Sequence, residues 1–185
     1  MTALIQDTTE ARPWAALERF IAAYACPEIA DDGLHIVPGN ADEQSLPADG
    51  NDFAVFTPIT ETRRATNAQE WDGVAEKITE LEYIEQAWQI DFYSASPVHA
   101  MNRAQALEQM ARTEQAVSFM RALHIDLQYA DGLTNLTGIL DAGKYVSRWA
   151  VTVHVGYYRK LKQTQEFFTA ASVDVVNVDV RFPPR

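Results

Sequence analysis

Apolar and polar positions along this chain switch between a helical and an alternating period, and the switches mark its elements. Residues 13–26, PWAALERFIAAYAC, place Trp14, Leu17, Ile21 and Tyr24 at helical spacing, with Pro13 suited to the first turn and Pro27 stopping the run. From 52 to 63, DFAVFTPITETR, the period becomes two, with Val55, Thr57, Ile59 and Glu61 alternating. A second extended run, 78–93, sets Ile84, Trp88, Ile90 and Phe92 on one face and Glu85, Gln89, Asp91 and Tyr93 on the other. The polar stretch between them, with a turn signal at Asp72-Gly73, predicts a long hairpin with an exposed tip over about residues 60–80.

Pro97 opens a second helical pattern over 97–122. Met101, Ala104, Leu107, Met110, Val117 and Met120 keep to one stripe, and Arg103, Gln105, Glu108 and Arg112 lie opposite. After a loop with turn residues at Asp131-Gly132 and Asp141-Ala142-Gly143, the run SRWAVTVHVGYYR (147–159) alternates again. Trp149, Val151, Val153, Val155 and Tyr157 fall on one side, and Thr152, His154 and Tyr158 on the other. A last strand is expected over 172–182, with a β-bulge where Val175-Val176 shifts the phase. The turn between these two strands would carry Arg159, Lys160 and Lys162, the densest basic cluster of the chain. The order helix, strand, strand, helix, strand, strand predicts an α+β fold: an antiparallel sheet of about four strands, two helices packed on one face, and long hairpin and loop arms.

Residues 27–62 hold eight acidic residues and no Lys or Arg, with Pro27, Gly33, Pro38, Gly39, Pro47, Gly50 and Pro58 among them. About residues 27–51 read as an acidic loop, with a short strand at Leu34-His35-Ile36-Val37. At 185 residues, with 47% hydrophobic and 22% charged, the chain fits one soluble globular domain spanning 1–185. No apolar run approaches the roughly 20 residues of a membrane span, and the start, MTALIQDTTE, lacks a signal-peptide pattern. A single cysteine, Cys26, excludes an intramolecular disulfide and a cysteine-based metal cluster. The 26 acidic against 15 basic residues give a net charge of −11, which argues against gripping nucleic acid by its phosphates.

Catalytic patterns are incomplete. Gly138, Gly143 and Lys144 match G-x-x-x-x-G-K, but Tyr145 stands where a phosphate-binding loop needs Ser or Thr, and a strand pattern follows instead of a helix. His35, His99, His124 and His154 are scattered, with no metal-site spacing, and no cofactor is implied. Glu80, Glu82 and Glu85 read as solvated charge on an exposed strand. Asp91 beside Tyr93 could serve as an acid/base pair, and an enzyme or small-ligand site around Asp91, Tyr93 and His154 is the alternative to a structural role. The sequence shows no third polar partner and no pocket for them, which favours structure.

A strand ending in Q-x-D-F-Y, here Gln89, Asp91, Phe92 and Tyr93, followed by Ser94 and a helix with the early alanine Ala100, resembles the phage neck or tail terminator family. The C-terminal third is similar too: Arg148-Trp149 opens a strand, Gln165-Glu166-Phe167-Phe168 begins a connection, and Val176-Asn177-Val178-Asp179-Val180 and Pro183-Pro184 close the chain. Together these cover residues 13–26 and most of 52–184. The resemblance implies a structural virion protein, not an enzyme. Such subunits form a ring, usually a hexamer, at the head-proximal end of a phage tail, where they stop tube growth and join the tail to the neck while DNA passes through. The partners implied are further copies of the chain, the tail tube protein and the connector, assembled in the host cytoplasm with no membrane. A stopper or adaptor between portal and tail is the second reading of the same kind. An acidic lumen would let DNA slide without sticking. Asp91, Tyr93, Arg159, Lys160 and Lys162 are expected at subunit or partner interfaces.

Overall fold

The computed structural model describes residues 4–7, 11–25, 36–39, 52–73, 77–140 and 144–164. In chain order these form β1 (Leu4–Asp7), α1 (Ala11–Phe20, continued by a wider turn over Ile21–Ala25), β2 (Ile36–Pro38), β3 (Phe53–Arg63), β4 (Ala68–Asp72), β5 (Lys77–Ser94), α2 (Pro97–Met110), α3 (Glu114–Ala122), β6 (Asp126–Asn135), β7 (Gly138–Leu140) and β8 (Lys144–Thr164). The expected strand at 172–182, its bulge and most of the acidic loop 27–51 lie outside the described residues.

The sheet is built on one antiparallel ladder. Every residue of β5 pairs with β8, from Lys77 opposite Thr164 to Ser94 opposite Ser147, a run of about 60 Å at ~3.4 Å per residue. β3 and then β4 pair with the outer edge of β5, and β6, β7 and β1 with the outer edge of β8. The fold is α+β as expected. The sheet is larger than the four antiparallel strands predicted and is mixed, since β2 runs parallel to β3.

Three further differences have local causes. The predicted helix 97–122 is two helices, because Thr113 caps the second: its hydroxyl accepts a hydrogen bond from the amide of Ala116 at 3.2 Å. The predicted loop around Asp131-Gly132 is a bulge inside β6, where the register slips between Asp131 and Thr134 and Gly132 adopts φ +71°. The polar stretch after β3 is itself a strand, β4. Arg63 and Ala68 are five positions apart while their partners Ile84 and Leu81 are three apart, so β3 and β4 form one edge broken by an outward kink.

Alternation along β5 and β8 decides where the core sits. Ile84, Trp88, Ile90 and Phe92 face Tyr157, Val153, Val151 and Trp149 on the same side of the sheet, as the sequence predicted. All but Trp149 are buried at 2% exposure or less. Phe56 and Ala54 of β3 and Leu127 and Ala130 of β6 continue this layer, and Leu17, Phe20 and Ile21 of α1, Leu107 of α2 and Met120 of α3 cover it. Trp14 meets Trp88 edge-on at 4.6 Å and Phe56 at 5.1 Å. Arg103, expected on the polar side of α2, is buried and pairs with Asp52 and so ties α2 to the residue before β3. Burial pushes the Asp52 carboxyl up, but hydrogen bonds from Ser94 and Arg103 and the nearby charges of Arg103 and His99 outweigh it and hold it below the usual range.

Candidate functional site

Past Ile84 and Tyr157 no described side chain of β5 or β8 is buried, while the strands run on. Residues 77–83 of β5 and 158–164 of β8, flanked by β4 and β1, form an arm roughly 20 Å long. At its root, on the helix-covered face, the apolar core gives way to a polar chain. The indole of Trp88 donates to Gln86 at 3.1 Å, and Gln86 donates to Glu61 at 2.8 Å. Arg159 donates to Glu61 at 2.7 Å and to Glu82 at 3.4 Å, and Arg63 lies 3.2 Å from Glu82. Burial alone would raise Glu61, but hydrogen bonds from Gln86 and Arg159 hold it below its ordinary value. An open groove of about 400 Å³ lies beside this chain, lined by Trp14, Pro58, Ile59, Thr60, Glu61 and Trp88.

These contacts correct the reading of the basic cluster. Residues 159–162 do not form a turn; they lie within β8, whose ladder continues to Thr164. Successive strand residues point to opposite faces, so Arg159 and Lys160 diverge. Arg159 is engaged by two carboxylates of its own chain, while Lys160 lines a groove of about 210 Å³ with Arg12, His124 and Tyr158. The side chain of Lys162 lies outside the described residues. Glu82 and Glu85 are likewise not merely solvated, since Glu85 holds Arg64 at 2.5 Å. That hydrogen bond is the first cause of a carboxyl held below the usual range.

The opposite face of the sheet carries the Asp91–Tyr93 pair. As predicted, both leave the face opposite Trp88, Ile90 and Phe92. The third partner that the sequence did not reveal is Arg148, which stands opposite Tyr93 across the ladder. Its Nε and Nη2 donate to the two carboxylate oxygens of Asp91 at 3.0 Å each. The amide of Gln89 donates to both oxygens as well, at 3.1 and 3.0 Å. Tyr93 stacks on Phe53 at 4.5 Å and 7°, and the Arg148 guanidinium lies 5.4 Å from the Tyr93 ring centre. Burial is the main reason that the Tyr93 phenol is raised above its ordinary value, so it stays protonated at neutral pH.

This geometry makes a poor acid/base centre. A carboxylate offers about four acceptor positions, and two donors already reach each oxygen of Asp91, which is 3% exposed. His154 is on the same face but opposite Ala87, whereas Asp91 is opposite Ala150, four strand positions or about 13 Å away. It stacks on Tyr129 at 4.2 Å and lies 3.6 Å from Asp131. The structure thus joins Asp91 to Tyr93 through Arg148 and keeps His154 apart. Arg148 was visible only as a residue at the start of a strand; its opposite charge, 57 residues away, gave no sequence-local signal.

The chain matches the family model described as phage neck terminator protein over residues 14–180, and it belongs to that family. It is thereby a phage neck and tail protein, consistent with the resemblance carried by Gln89, Asp91, Phe92 and Tyr93. No curated protein matches it. One solved structure is similar at 13% identity and a TM-score of 0.32, over 86% of this chain and 98% of its own; so loose a likeness carries no argument. No helix among the described residues is long and apolar enough to cross a membrane.

Proposed function

We propose that this protein is the ring-forming terminator at the head-proximal end of a phage tail, with six copies around a DNA passage. In this role it stops growth of the tail tube and joins the tail to the connector. The family match over residues 14–180 carries the reading. The net charge of −11 supports it, because acidic walls repel DNA phosphates and leave the passage free. The arm supports it as well, since β5 and β8 run on there past their last buried side chains. The face bearing Asp91, Tyr93 and Arg148 and the Lys160 edge are the surfaces this reading offers to neighbouring layers.

Cells infected so that every virion protein except this one is made provide the test. Electron microscopy should show tails of irregular length unattached to filled heads. Tails of normal length that remain unjoined would instead favour a stopper or adaptor, and normal virions would overturn the reading.

A further inference from the structure

The outer edge of β8 is paired in two pieces. β6 pairs with it up to Gly156 and β1 from Lys160 onward, so residues 157–159 lie at a break between the two ladders. At this break the groove of about 210 Å³ is lined by Arg12 from the first turn of α1, His124 from the turn after α3, and Tyr158 and Lys160 of β8. All four side chains carry hydrogen-bond donors. Gathering cations in one groove costs energy unless an anion joins them. Elsewhere the chain matches its cations: Arg64, Arg103, Arg148 and Arg159 each hold a carboxylate. Arg12, His124 and Lys160 hold none among the described residues. Asp7 stands opposite Lys160 in the β1–β8 ladder, and its side chain lies outside the described residues.

The backbone at His124 points to a use for its imidazole. With φ +60°, it is the one non-glycine residue at positive φ among the described residues. Its amide donates to the Arg121 carbonyl at 2.9 Å and the Ile125 amide to the Met120 carbonyl at 3.0 Å, a helix closure that glycine makes at least cost. A histidine there adds strain to the turn and an imidazole to the groove, and strain of this kind collects at functional positions. Tyr158 is steadied by the ring of Tyr83, edge-on at 5.1 Å.

The donor set suits a carboxylate, which accepts about four hydrogen bonds. Around Asp52 the chain already assembles the same company: Arg103 and Ser94 donate to it, and His99 lies 3.7 Å away. The groove is smaller than the roughly 300 Å³ at which sites for nucleotide-sized ligands begin, and the net charge of −11 repels duplex DNA. The same surplus supplies acids, since residues 27–62 hold eight and no Lys or Arg. We infer that the groove of Arg12, His124, Tyr158 and Lys160 binds an acidic side chain of a second copy of this chain. Groove and acid are different patches, so the contact is head-to-tail, the type that closes into rings. The inference rests on the ring reading and adds the residues and the chemistry of one joint.

The test follows self-association of the full-length chain by sedimentation velocity at about 50 and 500 mM salt, with circular dichroism as a check on folding. Arg12→Gln and Lys160→Gln should each weaken it by about tenfold and make it less sensitive to salt. His124→Gly should weaken it as well while thermal stability stays equal or rises, a combination that a purely structural histidine would not give. Asp7→Asn should leave association intact; a loss matching that of Lys160→Gln would mean that the cluster serves the chain's own β1, and overturns the inference. If the wild type assembles and the Arg12→Gln and Lys160→Gln variants assemble equally well, this joint is wrong while the ring stands. A wild type that stays monomeric at the highest concentration overturns both. Fluorescence anisotropy with a labelled DNA duplex supplies the remaining outcome: binding that these variants lose, with self-association unchanged, makes the groove a phosphate site and overturns the carboxylate.

Discussion

Replacing Arg148 by Met should be among the most costly single changes on the open face of the sheet. The substitution keeps much of the aliphatic stem but removes both charged donors from Asp91, which is 3% exposed and retains only the Gln89 amide. Removing one partner of a buried ion pair costs roughly 3–5 kcal/mol. Arg148 is itself 35% exposed, so water can reach part of the vacated site and the lower end applies, about 3 kcal/mol. In a chain of this size that corresponds to a fall of about 6–12 °C in Tm. Changing both partners, Asp91→Leu with Arg148→Met, removes the stranded charge and should recover about 2 kcal/mol of the loss, because an apolar pair of similar volume can replace a buried ion pair. Urea unfolding of wild type, both single variants and the double variant measures the coupling. A loss below about 0.5 kcal/mol for Arg148→Met, or simple additivity in the double variant, would refute the view that Arg148 neutralises a buried charge.

Other consequences follow from the packing and the charges. Asp52, Glu61 and Glu85 are all held below their ordinary values of 3.8, 4.5 and 4.5. Such groups bind more protons unfolded than folded, so their stabilisation is complete above about pH 4.5 and is lost as pH falls through the lower folded values. The urea midpoint should drop below pH 4.5, with a shallower drop in Glu61→Gln; a flat profile from pH 6 to 3 would count against these pairs. A Cβ at Gly156 would lie 2.1 Å from the Tyr83 hydroxyl and 2.6 Å from its Cζ, so Gly156→Ala must displace that ring. It should cost about 1–3 kcal/mol, and most of this should return when Tyr83→Ala is added. Thr113→Ala should lose about 1 kcal/mol by uncapping α3, and amide exchange at Ala116 would report it directly.

The periodic parts of the fold were legible in the sequence because alternation and burial coincide there. Trp88, Ile90 and Phe92 and their partners Val153, Val151 and Trp149 were placed on one face from period alone, and the ladder bears this out. Where a turn residue sits inside an element, the sequence misled: Asp131-Gly132 is a bulge that β6 passes through, and Arg159-Lys160 lies in the long β8, not at its end. In the helical run 97–122 the signal was present in Thr113-Glu114, a cap followed by an acidic first turn, but an unbroken apolar stripe masked it. Arg103 defied its polar type because Asp52 neutralises it, and Arg148 found Asp91 across 57 residues. Such pairings depend on register between distant strands, which composition and period do not encode.

The position of the protein in the virion tests the central claim most directly. Electron cryomicroscopy of intact particles should place this chain as a single closed ring between the last layer of the tail tube and the connector, with DNA or an open passage on its axis. Density for the chain confined to the capsid, the baseplate or the tube wall would contradict the account.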